Sequence, residues 1–405
     1  MRKLVDLARI HLGILAGEIG ERPVGSANNR KATGYCAEVL RKTGYEVQTP
    51  EFDCLHWEGI GADCSCAGRK FAVLPSPYSN GCDLEAPLHV VRTLSDLQTC
   101  SYAGQVLLVA GDLAAEQLMP KGYPYYNPEA HQLIVGLLEQ KAPAVIIAAT
   151  ERNPELAGAV YPFPLIEDGN FEIPSVYTTD ITGVELAKLA GRVVKLTSRA
   201  VRIPSTACNV IARKPGYPQK KVVLCAHVDT KIGTPGALDN AAGVTTLLLT
   251  AELLKKEALD NQVEFLVMNG EDYYGANGEK HWMTQNEGQL NRIASFINLD
   301  ALGYRKGRTA FSFYNQPEEK LTNMREVLTQ FPGICEGEPW YQSDHAVLVM
   351  QGIPAAAVTS EFIVETMQKY THTSKDVVRL VDVHRLVEAA HALTALIKGL
   401  ESLPG

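Results

Sequence analysis

The chain has 405 residues, of which 46% are hydrophobic and 21% charged, and its formal net charge is −8. This composition excludes a disordered or fibrous protein, and because no basic stripe runs along the sequence we expect no nucleic acid among its partners. The length exceeds the usual size of one domain, which predicts two domains or one large domain that carries an insertion.

The N-terminal segment and the cysteines bear on location. Residues 1–20 show an amphipathic helical pattern in which charges interrupt the apolar core that a signal peptide requires. No run of eighteen apolar residues is present, so we expect no membrane span. Nine cysteines, several within apolar runs, predict reduced thiols and a cytoplasmic protein. Cys64 and Cys66 form a CxC pair, which unpaired thiols explain more simply than a soft-metal site because no second pair is near.

The pattern changes twice along the chain. A helix over 28–43 and a strand over 45–52 complete the first segment. From about residue 54 to 204, short strands alternate with Pro- and Gly-rich loops, which predicts a separate β-rich module. Its histidines are scattered, and we interpret them as surface or core residues rather than ligands: His56, His89 and His131.

From residue 208 onward, strands and helices alternate. This alternation predicts an α/β fold with a mixed, doubly wound sheet and helices on both faces. The most economical assembly joins residues 1–50 and 205–405 into one discontinuous domain. Residues 51–204 then form an inserted β-rich α+β domain, since an insertion at a surface loop costs little stability.

Acids and histidines follow several strands of the C-terminal region. Because strand ends of such sheets face a common crevice, we expect these side chains to meet. Two imidazoles and three carboxylates suit a pair of zinc-like ions, with one carboxylate shared, and the cations offset the repulsion between the acids. The acids and histidines of this region from which such a site would be built are His227, Asp229, Asp239, Glu271, Asp272, Asp300 and His372.

The ordered motifs HVD, PGALDNAAG, GED, NLDALG, SDH with GIPAAAV, and THTSKD resemble those of the co-catalytic zinc exopeptidases of the aminopeptidase Y type. Relatives in this family include glutamate carboxypeptidase and the transferrin receptor ectodomain. The resemblance covers residues 205–380 and, more loosely, RPVGSANNRKATGYCAEVLRKTGYEV. The segments LLEQKAPAVIIAA and IPSVYTTDITGVEL are similar to the protease-associated domain that some members carry as an insertion.

The resemblance implies two Zn²⁺ ions per chain, with Co²⁺ or Mn²⁺ as alternatives, and it assigns a role to each metal ligand. His227 and Asp300 would hold one ion, and Asp272 and His372 would hold the other. Asp239 would bridge the two ions.

The resemblance also implies two catalytic residues that do not bind metal. Asp229 would accept a hydrogen bond from the far nitrogen of His227 and fix its tautomer. Glu271 would be the general base, which takes a proton from a metal-bridging water and passes it to the leaving amine. Family members often have a cis peptide after the bridging acid, which we therefore expect between Asp239 and Asn240.

The sequence is consistent with several residues as the hydrogen-bond donor that stabilises the oxyanion. Many family members have tyrosine immediately before the last histidine, whereas this chain has Thr371 there and Tyr370 one position earlier. Tyr370, Tyr273 and His345 are the candidates, and His345 is interpreted equally well as a packed core histidine.

The sequence therefore predicts a zinc-dependent metallo-aminopeptidase that hydrolyses N-terminal residues from peptides, with no membrane partner and with homo-oligomer formation left open. A carboxypeptidase would require an arginine-rich pocket, and the arginines of the insertion do not cluster. Two alternatives remain. One is a catalytically degenerate, receptor-like binding protein of the same fold, against which the complete ligand set and base argue. The other is a glutaminyl cyclase-like enzyme, which a single zinc would distinguish.

Overall fold

The structure is a computed structural model that describes residues 2–153, 158–214 and 217–400. The α-helices are α1 (Arg2–Leu12), α2 (Ala27–Thr43), α3 (Leu94–Thr99), α4 (Glu129–Lys141), α5 (Asp180–Ala187), α6 (Gly243–Leu254), α7 (Asn277–Gln285), α8 (Glu318–Leu328), α9 (Ala346–Met350), α10 (Ile363–Lys369) and α11 (Val383–Gly399). The strands are β1 (Glu46–Gln48), β2 (Glu51–Cys66), β3 (Arg69–Phe71), β4 (Leu74–Pro75), β5 (Cys82–Val91), β6 (Val106–Val109), β7 (Val145–Thr150), β8 (Ser175–Thr179), β9 (Val193–Cys208), β10 (Val210–Lys214), β11 (Tyr217–His227), β12 (Asn261–Met268), β13 (Ile293–Leu299), β14 (Thr309–Tyr314), β15 (Ile334–Glu336) and β16 (Ala355–Ser360).

Residue contacts divide the chain into two compact units. The first comprises Met1–Cys54 and Thr206–Gly405, and the second comprises Leu55–Ser205. Within the described residues, no helix combines the length and the apolar character that a membrane crossing requires.

The first unit contains an eight-stranded sheet in the order β1-β10-β12-β11-β13-β16-β14-β15. Its centre is parallel from β12 through β11 and β13 to β16, and β14 also pairs in parallel with the edge strand β15. The pairings of β1 with β10, of β10 with β12 and of β14 with β16 are antiparallel. The predicted mixed α/β sheet is therefore confirmed. Residues 222–226 of β11 are fully buried, as expected for a central strand that is covered on both faces.

Helices cover both faces of this sheet, as predicted. On one face, Val222 and Leu224 join a core built with α1, α2, α6 and α11. On the other face, Phe296 of β13 packs against Trp282 of α7, with ring centroids 5.8 Å apart. The alternation of side chains along each strand supplies both cores.

The second unit has its own sheet, in the order β3-β2-β9-β5-β6-β7-β8-β4. The strands from β5 to β8 are parallel, and β7 is buried along its whole length. Separate apolar clusters form on the two faces, one including Val106 and Ile147, the other Leu107 and Ile146. The unit therefore buries a core of its own.

The N-terminal helix differs from the prediction. The α-helix ends at Leu12, and a π-helical segment, Gly13–Ile19, follows it. Ile10 is 52% exposed, whereas His11 is buried. The buried stripe of this helix includes His11, because the histidine lies on the same face as Leu4 and Ala8.

Candidate metal centre

Three parallel strands bring the predicted site residues to one edge of the sheet. His227 is the last residue of β11, Asp300 follows β13 directly, and Asp272 follows the turn after β12. Because β11 pairs in parallel with both β12 and β13, all three ends lie at the same edge.

Asp239 reaches this edge from a tight turn that only glycine fits. Gly236 has φ +62, and a Cβ there would lie 2.3 Å from Thr230 Cγ2 and 2.5 Å from the Asp239 carbonyl oxygen. The segment Ala237–Ala242 follows the turn and is kinked, because Asp239 and Asn240 have non-helical backbone angles. The peptide bond between Asp239 and Asn240 is cis, as the resemblance predicted.

The two carboxylate oxygens of Asp239 face different groups. Its Oδ1 lies 3.2 Å from His227 Nε2, which is also 3.5 Å from Asp300 Oδ1. Its Oδ2 lies 3.1 Å from His372 Nε2, which is also 3.2 Å from Asp272 Oδ1. Two triads of potential ligands, each within 4.8 Å, therefore share Asp239.

Polar atoms of the first triad lack the partners that burial normally requires. Both ring nitrogens of His227 and Oδ1 of Asp300 are buried and have no hydrogen-bond partner among the described residues. Burial lowers the pKa of His227, but the carboxylates of Asp229, Asp239 and Asp300 outweigh it and raise this pKa well above its usual value. Burial likewise raises the pKa of Asp239, and the two histidines more than reverse that effect.

Glu271 lies beside the triads without belonging to either. It forms a third group within 4.8 Å with His227 and Asp272, and it is half-buried. Burial raises the pKa of Glu271 well above its usual value; His227 opposes this effect, and the charges of Asp272 and Asp300 add to it. A carboxyl group with a raised pKa is suited to accept and release protons near neutral pH.

Asp229 does not make the hydrogen bond that the resemblance implied. Its Oδ1 is 3.7 Å from His227 Nδ1, which is too long for such a bond. Instead, the Asp229 carboxylate accepts hydrogen bonds from the backbone N–H of Gly270 at 2.7 Å and from that of Asp272 at 3.0 Å. Because its carboxylate binds the backbone of the turn after β12, Asp229 orients the segment that carries Glu271 and Asp272.

The three candidate oxyanion donors have different surroundings. His345 is fully buried, with Nε2 2.8 Å from the Trp340 carbonyl oxygen and Nδ1 3.4 Å from the Asn298 amide. Both ring nitrogens are engaged, so His345 is a packed core histidine. Tyr273 is also buried, and Tyr370 packs against Tyr304 with ring centroids 5.9 Å apart.

Sequence reasoning missed Arg22, which is fully buried and contacts the loops that follow His227 and precede Asp239. Its Nε donates to the Val228 carbonyl at 2.5 Å, next to His227. Its Nη1 and Nη2 donate to the carbonyls of Pro235 and Gly236 at 2.8 and 2.9 Å. The only signal in the sequence was its place in the segment RPVGS, since a single arginine in a loop does not reveal its partners.

Sequence reasoning also missed Asp376, which lies in the motif THTSKD together with His372. Its carboxylate accepts the backbone N–H of Leu238 at 2.8 Å and of Asp239 at 3.0 Å. Burial and the charge of Asp239 raise the pKa of Asp376 to about 7, and the hydrogen bonds and Arg22 oppose this shift. Asp376 thereby connects the loop that carries His372 to the backbone of the loop that carries Asp239.

Comparisons with known sequences match much of the chain to peptidases. A model of peptidase family M28 matches residues 209–397. The probable lipoprotein aminopeptidase LpqL of Mycobacterium tuberculosis is 28% identical over 292 residues, which are 70% of this chain and 55% of LpqL. Aminopeptidase YwaD of Bacillus subtilis is 24% identical over 401 residues, covering 95% of this chain and 82% of YwaD. The chain thus spans little more than half the length of LpqL.

A solved structure shares the fold over nearly the whole chain. The zinc aminopeptidase BSAP from Bacillus subtilis superposes with a TM-score of 0.74 at 22% identity, covering 97% of this chain and 94% of BSAP. The predicted fold class is confirmed by this likeness.

Proposed function

We propose that the chain is a member of peptidase family M28, whose model matches residues 209–397, and that it is a zinc-dependent aminopeptidase that removes N-terminal residues from peptides. The match to the family model agrees with the resemblance predicted from the motifs. The observation that carries the proposal is the placement of Asp239, which presents one carboxylate oxygen to each of two ligand triads.

The donor set fits two zinc ions. Imidazole nitrogen and carboxylate oxygen are both zinc ligands, and the buried ring nitrogens of His227 are without a hydrogen-bond partner among the described residues. His227 and Asp300 would hold one ion, Asp272 and His372 the other, and Asp239 both. When bound, the ions would acidify the attacking water and polarise the scissile carbonyl.

Glu271 supplies the proton transfers in this proposal. Its position beside both triads, outside the ligand set, leaves its carboxylate available to accept a proton from the attacking water and to deliver it to the leaving amine. Asp229 supports this step through the Gly270 and Asp272 amides, which fix the turn that carries Glu271. Tyr370 or Tyr273 would stabilise the oxyanion.

An aminopeptidase is favoured over the other activities considered. The relatives LpqL and YwaD are both named aminopeptidases, and the carboxylates of Glu271 and Asp300 suit a substrate ammonium group. A receptor-like binding protein has no need of a general base, and a single-zinc cyclase has no need of a second triad.

For the rest of the chain, we propose that residues 51–204 are an inserted protease-associated-like domain and that residues 1–50 and 205–405 form the peptidase domain. A separate core in the second unit supports this division. A cytoplasmic location is also our proposal, supported by the nine free cysteines. The relative LpqL is named a lipoprotein, so secretion is the alternative that fractionation of cells would test.

The test is hydrolysis of aminoacyl anilides and dipeptides by the zinc-loaded protein and by Glu271→Gln. Loss of the base should lower kcat by roughly 10²- to 10⁴-fold while elemental analysis finds the zinc retained. Glu287→Gln, the same substitution at an exposed position, should behave as wild type. Equal rates for Glu271→Gln and wild type would refute the role of Glu271, and a zinc-loaded protein that cleaves none of the substrates would refute the function.

A further inference from the structure

A second polar site lies in the first unit, at the edge of the sheet away from the ligand triads. A cavity of about 280 Å³ is lined by Arg213, Lys221, Glu264, Asn286 and Arg292, among others. Lys221 belongs to β11, the strand that ends at His227, and Arg292 immediately precedes β13. The cavity therefore lies near the opposite ends of the strands that carry the candidate metal ligands.

One buried carboxylate organises this cavity. Glu264 is fully buried and accepts hydrogen bonds from Arg213 Nε at 2.9 Å and from Trp282 Nε1 at 3.1 Å. Lys221 Nζ lies 3.5 Å from the same carboxylate and donates to Asn286 Oδ1 at 2.7 Å. These contacts fix the lysine ammonium at the wall of the cavity.

Positive charge exceeds negative charge among these lining groups. Arg213, Lys221 and Arg292 oppose the single carboxylate of Glu264, and Arg292 makes no ion pair within the described part of the chain. Burial lowers the pKa of Lys221; Glu264 raises it, and Arg213 and Arg292 lower it further. Like charges held together in a partly enclosed space are stabilised by an anion that lies between them.

We propose that this cavity binds a small oxyanion, of the class represented by inorganic phosphate. Guanidinium groups match the oxygens of such an anion in pairs, and a lysine ammonium adds a point charge. The cavity has the volume of several water molecules, each of which occupies about 30 Å³ in the liquid. This volume accommodates the anion together with bound water.

The ligand is distinct from the peptide substrate, and the inference does not depend on the proposed aminopeptidase activity. Phosphate also binds metal ions, so the candidate metal centre is a competing site for the added anion. Variants at the two sites separate these possibilities.

The test is calorimetric titration of the full-length, zinc-loaded protein with inorganic phosphate to about 10 mM, at an ionic strength held constant with chloride. We expect saturable binding in wild type and in Asp239→Asn, and at least tenfold weaker binding in Arg292→Gln. Arg41→Gln, which removes an exposed arginine elsewhere in the unit, should bind as wild type.

Lys221→Met removes the buried charge while keeping the apolar length of the side chain, and it should abolish binding. Arg292 is exposed, so Arg292→Gln should fold and tests the site even where Lys221→Met does not fold. Phosphate binding that is unchanged in Arg292→Gln would place the anion elsewhere and overturn the proposal. If binding is also lost in Asp239→Asn, the anion binds at the candidate metal centre. An absence of saturable binding to wild type would overturn the proposal as well.

Discussion

Arg22 and Asp376 hold opposite polar groups of the loop that carries Asp239. The guanidinium binds the backbone carbonyls of residues 235–236, and the carboxylate binds the backbone N–H groups of residues 238–239. A cation on the carbonyl side and a carboxylate on the amide side fix the loop from both directions, because each polar group meets a partner of opposite charge. The position of Asp239, the proposed shared metal ligand, therefore depends on two residues that lie outside both triads.

Asp376→Asn should weaken zinc binding. The amide has one oxygen in place of two and cannot accept both N–H groups equally, so Asp239 is oriented less firmly. Substitutions of residues that orient metal ligands typically reduce the metal affinity by about 10- to 100-fold. Competition with a chelator would measure this loss. Asp382→Asn removes a carboxylate that accepts a backbone N–H at the start of α11 and should leave zinc affinity unchanged. Equal affinities in the two variants would contradict the role of Asp376.

Arg22→Lys should lower the free energy of unfolding by about 3 kcal/mol or more. An ammonium cannot reach the separate carbonyls that the guanidinium binds, and buried carbonyls are left without donors. Urea denaturation of the metal-free protein measures the loss without a contribution from zinc. Arg30 is partly exposed in the same segment and binds the Gly25 carbonyl, so Arg30→Lys should cost less than about 1 kcal/mol. The two variants should differ clearly, and similar losses would refute the special position of Arg22.

The number of bound zinc ions should depend on how many of the two triads are intact. Elemental analysis of wild type at limiting free zinc should find two ions per chain. Asp300→Asn and Asp272→Asn each remove a ligand from one triad and should retain one ion, whereas Asp239→Asn weakens both sites because it removes the shared ligand. Two tightly held ions in Asp239→Asn would exclude the bridging role.

His11 should make stability depend on pH. Its Nδ1 lies 2.6 Å from the Tyr35 hydroxyl oxygen. Burial lowers the pKa of His11 from 6.5 to about 4, and the charge of Glu252 opposes this effect. The unfolded chain therefore binds more protons between these values, so the contribution of neutral His11 is complete above pH 6.5 and is lost as the pH falls toward 4. The shift corresponds to about 3 kcal/mol.

Urea denaturation across this pH range would measure the effect. The difference in unfolding free energy between wild type and His11→Gln should shrink by up to about 3 kcal/mol as the pH falls. His384→Gln, at an exposed position, should show the same pH dependence as wild type. A constant difference between wild type and His11→Gln would mean that His11 titrates normally in the folded protein.

The sequence by itself was sufficient to predict the fold class and the residues that the structure brings together in the two triads. Continuous apolar runs such as residues 222–226 mark strands covered on both faces, and a histidine or acid directly after such a run has to lie at the carboxyl edge of the sheet. The order of the motifs from His227 to His372 was sufficient to predict the family. These features are local, so they are visible without the tertiary structure.

Only the tertiary structure decided which groups touch. Asp229 lies two residues from His227 in sequence, yet its carboxylate binds the turn after β12. The sequence is equally consistent with His345 as an oxyanion donor and as a core histidine, and its packing places it in the core. Arg22, Asp376 and the charges around Lys221 act on backbone groups and side chains far away in the chain, and no spacing in the sequence encodes such contacts, because they form only when the sheet brings distant segments together.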